Sequence, residues 1–71
     1  MQEAIDFNRG QRVRYIPGHA YGDPTHRDCE DGTVSSNNGI NVFALFDKNV
    51  ARLGWRGATS QSCNPAGLIK L

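Results

Sequence analysis

Apolar and polar residues alternate along much of this chain, which is the pattern of half-buried β-strands. Residues 11–16 alternate Val13 and Tyr15 with arginines, and residues 32–36 are rich in β-branched and small side chains. In residues 40–47 the predicted inner face carries four apolar side chains, namely Ile40, Val42, Ala44 and Phe46. The alternation predicts strands over residues 11–16, 32–36, 40–47, 55–62 and 67–71.

Turn signals separate these strands. Asn38-Gly39 is a strong hairpin signal, because both central positions of the tight turn need positive φ. Gly54 predicts a turn before the fourth strand, and Asn64-Pro65 predicts a single 3₁₀ turn before the last. Residues 17–31 show no alternation and form one long loop. Loops above about 12–15 residues are uncommon in compact domains and usually carry function.

The order of elements predicts an all-β fold. We expect residues 10–71 to form a small five-stranded SH3-like barrel, with the long loop between the first two strands. Residues 1–9 are predicted to be an N-terminal arm, or an edge strand that uses Ile5 and Phe7.

Length and charge limit the possible function. A chain of 71 residues buries only about 60% of its unfolded surface, so a metal, a disulfide or a second subunit is expected to supplement its core. The net charge of +1 and a pI of 7.8 differ from the strongly basic character of dedicated nucleic-acid-binding domains. No signal peptide or apolar span is evident, which predicts a cytoplasmic protein with reduced thiols.

The long loop contains the residue types of a metal site. His19, His26 and Cys29 lie within it, and Cys63 is a possible distant fourth ligand. Zinc accepts such a mixed set of nitrogen and sulfur ligands. Two alternatives stay open: the cysteines are small buried apolar side chains, or they form a disulfide. The cofactor prediction is therefore zinc or none.

Acidic residues are also frequent in this loop. Asp23, Asp28, Glu30 and Asp31 are expected to be solvated, and Asp31-Gly32 is expected to mark a turn. No catalytic motif accompanies them. The sequence therefore predicts a protein that is not an enzyme.

Aromatic and cationic residues suggest two binding surfaces. A ligand site with stacking rings and phosphate-binding cations is predicted from five residues, namely Arg12, Arg14, Tyr21, Trp55 and Arg56. Phe43 and Leu45 point away from the predicted core as an apolar pair. Such a pair is expected to contact a second copy of the chain or a partner protein.

Two stretches carry a resemblance. HAYGDPTHRDCEDG at 19–32 and TSQSCNP at 59–65 resemble small uncharacterised proteins encoded by bacteriophages and prophages. The resemblance implies an accessory role in the host bacterial cell and supplies no catalytic residue. We expect binding of a host protein, such as a component of antiviral defence, or of its nucleotide signal. A nucleic-acid-binding barrel and a zinc-stabilised scaffold are the alternatives.

Overall fold

A computed structural model describes residues 3–71, which fold around one five-stranded antiparallel sheet. The strands are β1 Arg12–Tyr15, β2 Glu30–Asn37, β3 Val42–Phe46, β4 Gln61–Cys63 and β5 Leu68–Lys70. One helix, α1, spans Asp47–Gly57, and 3₁₀ turns span Ala4–Asp6, Gly18–Ala20 and Pro65–Gly67.

The sheet has the strand order β4-β3-β2-β1-β5, so β4 and β5 are its two outer strands. Four strand spacings of about 4.8 Å would separate the outer strands of a flat sheet by about 19 Å. Residues 64–67, which connect them, contain a 3₁₀ turn and span no more than about 14 Å. The sheet must therefore curl to bring its edges towards each other.

The curled sheet is not a closed barrel. Within residues 3–71 the strand pairs are β1 with β2 and β5, and β3 with β2 and β4. No ladder joins β4 to β5. The prediction of a sheet of five strands is confirmed, and the predicted closure is not seen.

The core lies on one face of the sheet. Val42, Ala44 and Phe46 are buried along β3, while Phe43 and Leu45 between them are half-buried on the other face. Ile40 was predicted to share the inner face, but it lies before β3 and is 74% exposed. The buried cluster comprises Ala4, Phe7, Val13, Val34, Val42, Ala44, Phe46, Cys63 and Leu68.

The N-terminal segment belongs to this core. Residues 4–6 form a 3₁₀ turn, so the predicted edge strand through Ile5 and Phe7 is wrong for the described residues; Met1 and Gln2 lie outside them. Phe7 is fully buried, and its carbonyl accepts a hydrogen bond from Asn37 Nδ2 at 2.9 Å. The predicted arm therefore packs against the end of the sheet where β2 terminates.

The helix α1 replaces the predicted turn at Gly54 and the first three residues of the predicted fourth strand. It begins directly after β3 and kinks at Gly54, whose φ of 75° and ψ of 166° are not helical. The strand predicted over residues 55–62 is wrong before Gln61, and the expectation of an all-β chain is wrong by one helix. No residue of α1 is buried, so α1 lies on the surface. Among the described residues no helix is long and apolar enough to cross a bilayer.

Gly32 also departs from its predicted role. Asp31-Gly32 was expected to mark a turn, but both residues lie inside β2. Gly32 is buried opposite Phe46 in the ladder with β3. A Cβ atom at this position would lie 2.6 Å from the carbonyl oxygen of Leu45 and 3.0 Å from Cα of Phe46. The two strands approach each other this closely because residue 32 has no side chain.

Candidate functional site

The two ends of the curled sheet differ. Phe7 fills the end near Asn37, whereas the opposite end, where β2 begins at Glu30, holds an open cavity of about 560 Å³. We call this space the end cavity. Its lining comprises Tyr15, Ile16, Pro17, Gly18, Gly22, Glu30, Phe46, Gln61, Ser62, Cys63, Asn64, Ala66 and Gly67.

The end cavity combines aromatic rings with one carboxylate. The rings of Tyr15 and Phe46 meet edge to face, with centroids 6.3 Å apart. Glu30 contributes the carboxylate, and no lysine or arginine is among the lining residues. The cavity is therefore suited to an apolar or cationic group rather than to an anion.

Cys63 lines the same cavity with its thiol. Burial raises the pKa of the Cys63 thiol, and the negative charge of Glu30 raises it further. A thiol with a raised pKa stays protonated and is a poor nucleophile. Cys29 and Cys63 are both free cysteines, so no disulfide joins them.

Arg14 links the long loop to the sheet through hydrogen bonds. This side chain donates two hydrogen bonds to the Asp31 carboxylate, at 2.6 and 3.0 Å, and a third to the carbonyl oxygen of Pro24 at 3.2 Å. The hydrogen bonds from Arg14 lower the pKa of Asp31. Gly18 and Gly22 of the loop reach the mouth of the end cavity, so the loop forms part of the cavity wall.

Arg12 is paired in the same way. Its guanidinium donates to both carboxylate oxygens of Asp47, at 2.8 Å for the first, and also to Thr33 Oγ1 at 2.9 Å. The hydrogen bonds from Arg12 lower the pKa of Asp47. Two of the three arginines predicted to bind ligand, Arg12 and Arg14, thus already pair with a carboxylate, which offsets their charge towards an incoming phosphate.

The other predicted ligand-binding residues lie elsewhere. Tyr21 is 94% exposed in the loop, and Trp55 is 67% exposed on α1 beside Arg56. Across residues 3–71, no hydrogen bond, ion pair or cation–π contact links Arg12 or Arg14 to any of these three. A ligand site shared by the five predicted residues stays a prediction.

Several exposed residues on α1 form what we call the helix patch. It consists of two apolar side chains and three cations, namely Lys48, Arg52, Leu53, Trp55 and Arg56. None of its cations takes part in an ion pair with any residue of the described chain. The hydrogen bond with His19 lowers the pKa of Asp28, and the charge of Lys48 helps to lower it, so the charges of Arg52 and Arg56 are the ones that remain available to a partner.

Phe43 and Leu45 are half-buried in the single chain. Exposed large apolar side chains occur instead at Ile5, Tyr21, Ile40, Leu53, Trp55 and Leu71. The apolar area that β3 offers to a second copy is therefore smaller than strict alternation suggested. Self-association through Phe43 and Leu45 stays a prediction.

The loop histidines lie close to the carboxylate of Asp28, which was not among the predicted metal ligands. His19 Nε2 lies 2.7 Å from Asp28 Oδ2, and His26 Nδ1 lies 3.9 Å from the same oxygen. Neither predicted cysteine ligand belongs to this group. Cys29 Sγ donates to the carbonyl oxygen of Asp23 at 3.4 Å, and Cys63 lies in the core. The spacing of Asp28 two residues after His26 was the available signal.

No family model, curated protein or solved structure matches this chain. The end cavity, the long loop and the helix patch are therefore the features from which a function can be inferred.

Proposed function

We propose that this chain is a non-enzymatic binding protein that recognises a protein partner by taking one basic side chain into the end cavity. The observation that carries the proposal is the combination of the Tyr15 and Phe46 rings with the Glu30 carboxylate in a space of about 560 Å³. Aromatic faces and a carboxylate both attract a guanidinium or ammonium group. A cavity of this volume is large enough for such a side chain.

The same geometry argues against a nucleotide as the ligand of this cavity. A nucleotide phosphate would meet Glu30 and no lining cation. The nearest predicted phosphate ligands, Arg12 and Arg14, already bind Asp47 and Asp31. We therefore favour a host protein over a nucleotide signal.

The proposal places the chain among small SH3-like proteins of bacteriophages and prophages, acting in the cytoplasm of the host. Support comes from the strand order, in which the last strand returns to pair with the first after a 3₁₀ turn. A component of antiviral defence is the partner class that we propose. Binding rather than catalysis is favoured because the Cys63 thiol is protonated and buried.

Small-molecule binding tests the chemistry of the end cavity. N-acetyl-arginine amide, its neutral norleucine analogue and AMP are titrated while amide resonances are followed by NMR. We expect the arginine compound to bind most tightly and to shift the resonances of Gly18, Ser62 and Gly67, which line the cavity. Tighter binding of AMP, or shifts confined to residues outside the lining, would contradict the proposal.

Replacing the carboxylate provides the matched variants. Glu30→Gln should weaken binding of the arginine compound by about threefold or more, as expected for a partly exposed charge pair. Glu3→Gln is the control, since it is the same change in an exposed residue outside the cavity. A photoreactive residue at Ser62 should then crosslink a host protein in cells. The same residue at Ser36, outside the lining, should not.

A second candidate function is binding of single-stranded nucleic acid through the helix patch. The specific observation is that Trp55 is exposed beside Arg56, while Arg52 and Arg56 form no ion pair within residues 3–71. Trp55 is the single tryptophan, so its fluorescence reports binding directly. Three phosphate contacts predict a slope of about −2 for log K against log salt. Fluorescence unaffected by oligonucleotide would remove this candidate.

A further inference from the structure

The geometry of the long loop points to a binding site for a divalent transition-metal ion, with zinc as the most suitable ion, formed by His19, His26 and Asp28. One ring nitrogen of each histidine and one carboxylate oxygen of Asp28 all lie within 4.8 Å of one another. This ligand set differs from the histidine–cysteine set expected from the sequence. The metal site is inferred from the loop residues alone, whatever ligand the end cavity binds.

The separations are close to those that a metal requires. In tetrahedral zinc sites the bonds to nitrogen and oxygen are about 2.0–2.2 Å, which places neighbouring ligand atoms about 3.3–3.5 Å apart. The two separations from Asp28 Oδ2, 2.7 Å to His19 and 3.9 Å to His26, bracket that value. The separation between the two histidine nitrogens is at most 4.8 Å, so the three ligand atoms must draw closer together when a metal binds.

The hydrogen bonds in the group show what the metal would replace. Metal binding removes the proton from the hydrogen bond between His19 Nε2 and Asp28 Oδ2. His19 then coordinates as a neutral imidazole, and the displaced proton passes to its Nδ1 or to solvent. His26 Nδ1 now accepts a hydrogen bond from the Asp28 backbone N–H at 3.0 Å. Coordination through this nitrogen exchanges that hydrogen bond for a metal bond and leaves the N–H to solvent.

The surrounding loop already holds the ligands near one another. The two imidazole rings meet edge to face with centroids 5.3 Å apart. Asp23 accepts hydrogen bonds from both the N–H and the hydroxyl of Thr25. Arg14 of β1 donates a hydrogen bond to the carbonyl oxygen of Pro24. His19 and Asp28 are exposed, so water can complete the coordination sphere. The exposure favours an open three-ligand site over a closed structural one.

Calorimetric titration of the tag-free protein with zinc tests the site. We expect one ion per chain. His19→Gln, His26→Gln and Asp28→Asn should each weaken binding by about tenfold or more, since even indirect partners of metal ligands contribute 10–100-fold. Cys29→Ser is the matched control, because it changes a potential ligand next to Asp28 and retains a donor for the Asp23 carbonyl. Its affinity should equal that of the wild type.

The absorption spectrum of the cobalt-bound protein identifies the ligand atoms directly, without comparing variants of different stability. Ligands of nitrogen and oxygen alone give a cobalt complex without thiolate charge-transfer absorption, whereas a site with Cys29 or Cys63 would show it. Absence of zinc binding by the folded wild type would overturn the proposal. So would charge-transfer absorption that disappears in Cys29→Ser or Cys63→Ser, or unchanged binding in folded Asp28→Asn.

Discussion

Replacing Gly32 with alanine tests how closely β2 and β3 pack. The new Cβ atom would lie 2.6 Å from the Leu45 carbonyl oxygen and 3.0 Å from both Cα and Cδ1 of Phe46. Normal carbon–oxygen contacts begin at about 3.3 Å, so the strands must separate locally by about 0.7 Å. Two of the three contacted atoms are backbone atoms, and a change of rotamer cannot relieve them.

We expect Gly32→Ala to lower the free energy of unfolding by about 2–3 kcal/mol, the upper part of the range for overpacked cores. A domain of this size rarely has more than about 3–5 kcal/mol in total. The variant should therefore lose about half of its stability. Its melting temperature should fall by roughly 10–20 °C, since each kcal/mol corresponds to about 4–8 °C in small domains.

Urea denaturation followed by circular dichroism measures this change. Gly18→Ala is the control, because that glycine has no positive φ and a Cβ there meets no atom within 4 Å. It should leave stability unchanged or raise it by up to about 1 kcal/mol. If the free energy of unfolding of Gly32→Ala is within about 0.5 kcal/mol of the wild-type value, with the same m value, the two strands do not approach each other as closely as described.

Three further predictions concern other parts of the sheet. Gly39 has a φ of 85°, so Gly39→Val should cost about 1 kcal/mol or more in urea denaturation, and an unchanged midpoint would contradict the positive φ. Asp47→Asn should cost about 0.2–1 kcal/mol at neutral pH, as for exposed ion pairs. Because Arg12 lowers the pKa of Asp47 in the folded state, this contribution is present above the unfolded pKa and is lost as pH falls through the folded value. The difference between the two proteins should therefore vanish in acid; a constant difference would refute the pairing. If two copies pair through Phe43 and Leu45, as predicted, the double variant Phe43→Lys, Leu45→Lys should be a folded monomer. Sedimentation of the wild type as a monomer would exclude this dimer.

The sequence predicted the elements whose signals are local. Asn38-Gly39 lies in the turn between β2 and β3, but only Gly39 of the two has positive φ, so the expectation of positive φ at both positions is wrong for Asn38. Asn64 begins the last 3₁₀ turn, and its side chain accepts a hydrogen bond from the N–H of Ala66 at 2.9 Å. The alternation around Val42 and Ala44 gave the correct buried face of β3. Each of these features depends on residues that are close together in the chain.

The missed features depend on contacts between distant residues. Gly54 was expected to mark a turn before a strand, but helical residues follow it, and its non-helical φ of 75° and ψ of 166° break α1 at that point. Gly32 had the local signature of a turn, whereas its role is to let β3 approach β2. Asp28 joins the histidines because successive turns fold the loop back on itself. Alternation and turn propensity carry no information on such approaches.

The same long loop contributes residues to the metal site and to the wall of the end cavity, so we expect binding at the two sites to be coupled. Gly18 and Gly22 line the mouth of the cavity, and His19 lies next to Gly18. A zinc ion that joins His19 to Asp28 would restrict this part of the loop before a ligand arrives. Because zinc has already ordered the loop, the ligand no longer pays the entropy cost of ordering it. Zinc should therefore tighten the binding of N-acetyl-arginine amide by about fivefold, which is at the lower end of common coupling energies. Coupling is reciprocal, so the arginine compound must raise zinc affinity by the same factor. Calorimetry with and without zinc measures both factors. Asp28→Asn should abolish the difference while its zinc-free affinity for the arginine compound stays that of the wild type. Equal affinities with and without zinc in the wild type would show that the loop and the cavity are independent.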